Sequence, residues 1–361
     1  MIGVSRAAAR SGAAIEHTRW RPGRTFAVLG GLSLVLAIVS VMAIGLGEEY
    51  ISPRSVLGMA LQWLPVHPAR TWSDVDQTII TLYRLPQVLT AIMVGSALAV
   101  AGAAFQALFR NPLADPGIVG TSAGASLGAI IALALPIQVE WFGYSIVSLA
   151  AFAGAMGTMM LVYSLAQVGG RLPSTSLLLA GFAVSAGLNA AAALVEMLSD
   201  QLRQMYVWLL GNLDFTTGTQ LLAATPIFLV GMAGLFLLAG DLNVLLLGDE
   251  QSTYLGLNVT QRRVAVLILG SLLTSMAVAL GGMIAFVGLL VPHITRLLFG
   301  TNHRLLLPAS ALMGATLMVV VNTVAHLVLE PQVLPVGLIT ALLGVPWFLV
   351  LLRRKKGNYV F

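Results

Sequence analysis

Apolar runs of about 20 residues, broken by short polar or glycine- and proline-bearing gaps, recur from Thr25 to the carboxyl end of the chain. A helix of about 20 apolar residues crosses the hydrocarbon layer of a bilayer, so the pattern predicts an all-α chain that spans a membrane many times. Ten spans are predicted, over 25–47, 85–109, 117–135, 144–167, 176–198, 219–240, 262–280, 283–299, 305–328 and 334–352. The run from Val264 to Phe299 would overshoot a bilayer as one helix, and the pair Gly281 and Gly282 divides it. No gap holds a separate soluble domain. The predicted organisation is an amino-terminal segment over 1–24, a ten-helix domain over 25–352 and a tail over 353–361. The first run is longer than the ~7–15 residue core of a secretory signal and lacks a small-x-small cleavage site, so it reads as a retained span.

Charge tests the count. With the amino end in the cytoplasm, fifteen of the 19 basic residues fall on the inner side: Arg6, Arg10, Arg19, Arg21, Arg24, Arg110, Arg171, Arg262, Arg263, Arg296, Arg304, Arg353, Arg354, Lys355 and Lys356. Only Arg54, Arg70, Arg84 and Arg203 fall outside. This is the asymmetry that orients membrane proteins, and a miscount by one span would destroy it. The outer face receives Glu48, Glu49, Asp74, Asp76, Glu140, Glu196, Asp200, Asp214 and Glu330. Composition agrees, with 58% hydrophobic and 9% charged residues against about 25% charged for a soluble domain. The net charge of +5 therefore reflects topology and not nucleic-acid binding, and Arg353 to Lys356 read as a cytoplasmic anchor at lipid headgroups.

The candidate chemistry is sparse. The chain has no Cys, and its five His residues, His17, His67, His293, His303 and His326, have no ligand spacing, so no disulfide, metal centre or cofactor is expected. Pumps and ion-coupled carriers keep ionisable side chains at mid-membrane. Here Glu196, His293 and His326 lie toward span ends, and the middle layers are Ala, Gly, Leu, Val, Ser, Met and Phe. No Ser, His and Asp set or carboxylate pair sits at matching depth for hydrolysis. No phosphate-cradling glycine loop is present, so the chain is not itself an ATPase. Gly95, Ala99 and Ala103 recur every fourth position, the spacing that lets helices approach closely in lipid, and packing suffices to explain them.

Two inner segments are too particular to be ordinary turns. Arg110-Asn111-Pro112-Leu113-Ala114-Asp115-Pro116-Gly117 forces a fixed bend after the second span. The segment from Asp241 to Val259, DLNVLLLGDEQSTYLGLNV, reads as two short helices broken at Gly248, with Leu245, Leu246 and Leu247 too apolar for water. A lipid-resting helix is one reading. Asp249 and Glu250 lie on the leaflet that repels acids, which favours a protein partner.

Taken in order, Arg84-Leu85-Pro86, the Arg110 to Gly117 segment, Ser174-Thr175-Ser176, Leu242-Asn243, Leu247-Gly248, Leu255-Gly256, Gly288, Val291-Pro292-His293, His303 to Pro308 and Leu334 to Gly337 resemble the FecCD-type permeases. These are the membrane subunits of type II ATP-binding-cassette importers for vitamin B12, ferric siderophores and heme. The likeness covers about residues 50 to 352. It implies a vitamin B12 permease-like fold in the bacterial inner membrane, a homodimer with the passage on its two-fold axis, two cytoplasmic ATPase subunits and a periplasmic binding protein. By the same likeness Asn111 and Leu113 narrow the cytoplasmic end of the passage, and Ser174, Thr175 and Ser176 form a second constriction. The segment holding Leu245, Leu246, Leu247, Gly248, Asp249 and Glu250 becomes the coupling helices in the ATPase cleft. Arg84 becomes an outward arginine offered to the binding protein, with His326 and Arg203 beside it. The chain departs from the family at Gln87 and at His326, where arginines are frequent. The implied cargo is a metal chelate, heme first, then a ferric siderophore or vitamin B12. A secondary transporter and a membrane-embedded enzyme are the readings from other classes.

Overall fold

The computed structural model describes residues 22–47, 49–62, 70–135, 139–141, 143–214, 216–329 and 332–355. Arg6, Arg10, His17, Arg19, Arg21, Glu48, His67, Glu330 and Lys356, together with most of both terminal segments, lie outside them. The chain runs α1 (Pro22–Gly45), α2 (Pro53–Leu61), α3 (Asp74–Thr78), a π-helical turn (Ile79–Arg84), α4 (Leu85–Leu108), a 3-10 turn (Pro116–Val119), α5 (Thr121–Ala134), a hairpin of β1 (Glu140–Trp141) and β2 (Tyr144–Ser145), then α6 (Ile146–Ala166), α7 (Ser174–Leu198), α8 (Leu202–Leu209), α9 (Gly218–Leu237), α10 (Ala239–Leu245), α11 (Asp249–Tyr254), α12 (Val259–Gly281), α13 (Val287–Phe299), α14 (His303–Leu327) and α15 (Val336–Lys355). Each of the ten predicted spans coincides with one of these helices. Among the described residues seven helices are long and apolar enough to cross a membrane, and three shorter apolar ones are α5, α13 and the Val336–Val350 part of α15.

Helix α4 is the centre of the fold, with nearly every residue from Pro86 to Leu108 buried. It packs on α12, α13 and α14. The approach is closer than side chains permit: a methyl group on Gly102 would collide with the Gly288 carbonyl of α13, and one on Gly95 with the Gly314 carbonyl of α14. The small residues at four-residue spacing are thus a packing surface, as expected in lipid, where close backbone contact replaces the hydrophobic drive between helices. Helices α1 and α7 remain largely exposed on apolar faces, with Leu34, Ile38, Leu179 and Phe182 at 62%, 55%, 70% and 76%.

Two departures have local causes. The second span begins not at Leu85 but at Asp74, capped by Ser73 and Asp76. Pro86 lacks the amide that an α-helix would use, and the preceding turn widens so that the Leu85 amide reaches back to the Ile80 carbonyl. The division of 264–299 falls where expected: α12 stops at Gly281, Gly282 adopts φ +70°, and residues 283–286 run as non-helical chain before α13. Such backbone is tolerated at membrane depth when protein covers it, and Gly337 packs against the Leu210 and Met283 carbonyls there.

Contacts between connecting segments fall into two sets that match the predicted alternation. Ser174 meets Leu108, Arg263 meets Leu172, and Asn243 meets Asn302 at one end. Gln87 meets Asp214 and Arg84 meets the chain after α1 at the other.

Candidate functional site

The bend after α4 is built by its own side chains. The Asn111 amide returns to the Gln106 carbonyl at 3.1 Å, and its side-chain oxygen accepts the Leu113 amide at 2.9 Å. Asp115 accepts the Gly117 amide at 2.8 Å and starts the 3-10 turn. Arg110 takes φ +50°, a left-handed conformation uncommon for a residue with a side chain. Burial raises the Asp115 carboxyl above the ordinary carboxylate range, the bond from Gly117 opposing it. Since the folded value is the higher one, its charge opposes folding progressively as pH rises above that range. The second expected constriction begins α7: Ser174 donates to the Leu108 carbonyl at 3.4 Å, so it abuts the end of α4, while Ser176 is half-buried and Thr175 exposed.

The segment from Asp241 to Val259 forms two helices broken at Gly248, whose φ is +108°. Ser252 pins one to the other, donating to Val244 at 2.8 Å and Gly248 at 2.5 Å. Asn243 accepts the His303 amide at 2.9 Å and donates to Asn302 at 3.0 Å, tying α10 to the start of α14. Leu246 and Leu247 are 41% and 52% exposed, but Leu245 is 2% exposed and belongs to the core. The three leucines are therefore not one uncovered patch, because on a helical turn that packs inward only two of three consecutive residues can face out. Glu250 is exposed, and Asp249 ion-pairs with Arg110 and, at 2.8 Å, with Arg263. Arg263 also donates to the Leu172 carbonyl at 3.0 Å. A cleft of about 920 Å³ is lined by Asp249, Arg263 and Leu172 together with Arg171, Glu250, Tyr254 and Thr260.

At the opposite end Arg84 is half-buried against the end of α1. It donates to the Ile44 and Gly45 carbonyls at 2.9 and 3.2 Å and to the Glu49 carbonyl at 2.6 Å. The last carbonyls of α1 lack helical partners and carry the negative end of its dipole, which is where an arginine is held. His326 and Gln87 converge on one carboxylate oxygen of Asp214, at 3.0 and 3.1 Å. The two positions at which the chain departs from the family pattern thus hold the same acid. Arg84, Gln87 and His326 line a cavity of about 340 Å³ with Asn322 and Val333. Arg203 is exposed on α8 and lines a different cavity, of about 670 Å³, with Glu140 and Trp208.

Sequence reasoning placed the two inner loops but missed what joins them. Arg263 was counted as a charge for topology, yet it shares the buried face of α12 with Val266, Leu267 and Gly270. A basic residue in register with an apolar stripe was the available signal. Gln106 was also missed. It donates to the Gly288 and Leu289 carbonyls at 3.4 and 3.3 Å and accepts from Arg296 at 3.0 Å, joining α4 to α13.

Residues 35–354 match the model of the FecCD transport family. The chain is 39% identical to the hemin transport system permease protein of Yersinia pestis, over 91% of this chain and 96% of that one. It is 43% identical to the cobalamin import system permease protein of Halobacterium salinarum, over 78% and 75%. A solved structure described as an inward-facing conformation of a candidate metal-chelate type ABC transporter superposes with a TM-score of 0.77 at 32% identity, covering 91% of this chain and 99% of the other.

Proposed function

The chain belongs to the FecCD transport family and is a permease subunit of an ATP-binding-cassette importer of metal chelates; from that premise we propose that it works as a homodimer carrying heme across the inner membrane by alternating access. The observation that carries the passage is on α7, where Asn189, a polar exception to the Ala, Gly, Leu, Val, Ser, Met and Phe expected in the middle layers, stands exposed near the middle of an apolar span. An amide left in hydrocarbon without a partner costs several kcal/mol. The face bearing Asn189 is therefore assigned to a second copy and the passage between them. Heme is preferred because the hemin permease is 39% identical over nearly the whole of both chains, against 36% and 35% for two vitamin B12 permeases of Vibrio matched over a similar share.

In this reading Asn111 and Leu113, with Ser174, Thr175 and Ser176, narrow the cytoplasmic end, and the helices around Gly248 enter the ATPase cleft. Docking of the periplasmic binding protein falls to Arg203 and to the rim of the Arg84 and His326 cavity, since the Arg84 guanidinium is already bonded to α1.

The assembled transporter in proteoliposomes, supplied with its ATPase subunits and binding protein, is expected to accumulate hemin only with ATP. Uptake of cobalamin or a ferric siderophore in preference to hemin would overturn the cargo assignment. Uptake driven by a proton gradient without the ATPase subunits would overturn the importer.

The orientation has its own test. Cysteines at Thr71 and Gln204 are expected to react with a membrane-impermeant thiol reagent in intact cells, while those at Asn111 and Gln251 stay unlabelled. The absence of Cys from the natural chain makes the background clean. Outside labelling at Gln251 would reverse the topology.

A further inference from the structure

We propose that Asp249, held between Arg110 and Arg263, is the positioning residue through which motion of the coupling helices reaches both cytoplasmic constrictions. The proposal rests on reading residues 241–259 as the ATPase-docking segment. One carboxylate oxygen of Asp249 meets both arginines, and each arginine leads to a different constriction. Arg110 stands directly before Asn111, in the bend that carries Leu113. Arg263 donates to the Leu172 carbonyl, two residues before Ser174, and Ser174 in turn meets Leu108 at the start of the Arg110 bend.

The link is needed because the two coupling helices are held differently. Helix α10 is packed into the core through Leu242 and Leu245, at 0% and 2% exposure, and through the bonds of Asn243. Helix α11 buries only Ser252, so among the described residues Asp249 is what joins it by side-chain bonds to the gate bend. The two halves of the node do different work. Arg263 is 7% exposed and needs its counter-ion to be tolerated. The Arg110 to Asp249 pair is 37% and 51% exposed, and pairs so exposed add little to stability. Arg110 can therefore be changed without dismantling the fold, which makes it the point at which to cut the link.

The test uses the transporter assembled with its ATPase subunits. Spin labels on cysteines at Gln251 or Leu113 report the distance between the two copies with and without ATP, and transport is measured on unlabelled protein. In Arg110→Gln the ATPase subunits are expected to remain bound and basal hydrolysis to stay within twofold. The Gln251 distance is expected still to change with ATP, the Leu113 change to disappear, and transport to fall at least tenfold. Arg110→Lys, which keeps the charge, is expected to restore most of both. A Leu113 response and transport within twofold of the natural protein in Arg110→Gln would overturn the link. Loss of ATPase subunits or of folding in that variant would make Arg110 a structural support and overturn it too. A Gln251 distance indifferent to ATP in the natural protein would instead overturn the docking reading, and the link with it.

Discussion

Leu246→Arg is expected to give a folded permease that no longer retains its ATPase subunits. Leu246 and Leu247 are 41% and 52% exposed, and Tyr254 and Leu255 follow at 82% and 65%. This apolar surface stands beside Asp249 and Glu250, at a leaflet whose anionic lipids repel acids, so lipid is a poor cover for it and a protein a good one. An arginine placed there costs nothing in the free permease, where it stays in water. On docking it becomes a buried charge without a partner, a loss of about 3–5 kcal/mol, or roughly a hundred- to several-thousand-fold in affinity. Leu245→Arg is the control that separates docking from folding. At 2% exposure Leu245 cannot lead a charge to water, and that variant is expected to fail before assembly. Co-purification of the ATPase subunits with detergent-solubilised permease reads the result. Normal retention and normal stimulated hydrolysis in Leu246→Arg would remove this surface from the interface.

The difference between those two leucines marks where sequence stops being informative. Run length placed a helix at each predicted span, because hydropathy over about 20 residues is a strong signal. The break at Gly281 and Gly282 was legible as well, since no single helix of that length fits a bilayer. Direction within a short helix was not. Leu245, Leu246 and Leu247 are alike in composition, and the bonding of Asn243 to His303 and Asn302, with that of Ser252 to Val244, fixes which of them turns inward. The bonds of Arg84 are a related case: the end of α1, about forty residues earlier, presents it with carbonyls that no local pattern reports. Gln87 and His326 looked like weakened docking positions. Their common partner Asp214 lies 127 residues from one and 112 from the other, a distance no local pattern reports. The same holds for the pairing of Arg110 with Asp249.

The small residues Gly95, Ala99 and Ala103, by contrast, were legible as a packing face, and Gly102 beside them carries the largest expected effect on folding. Gly102→Leu is expected to yield no assembled permease, and even Gly102→Ala is expected to lower the thermal midpoint, although alanine is the better helix former by about 1 kcal/mol. The reason is what a methyl group at Gly102 would meet. It would overlap the Gly288 carbonyl, and the α13 backbone cannot swing aside as a side chain could. Gly288 is itself wedged against Pro116 and the Leu98 carbonyl, so relieving the overlap means moving α13 away from both α4 and the 3-10 turn that follows the Arg110 bend. Overpacking of this kind costs about 1–3 kcal/mol and sometimes more, enough to reverse the propensity gain for alanine and far exceed it for leucine. Gly157 supplies the opposite case. It lies exposed on α6 with nothing within 4 Å of an added methyl group, so Gly157→Ala is expected to leave the midpoint unchanged or raise it. Thermal unfolding of the two alanine variants in the same detergent therefore tests a difference in sign. If Gly102→Ala proved as stable as Gly157→Ala, the contact between α4 and α13 would not be the tight seam on which the position of the bend after α4 depends.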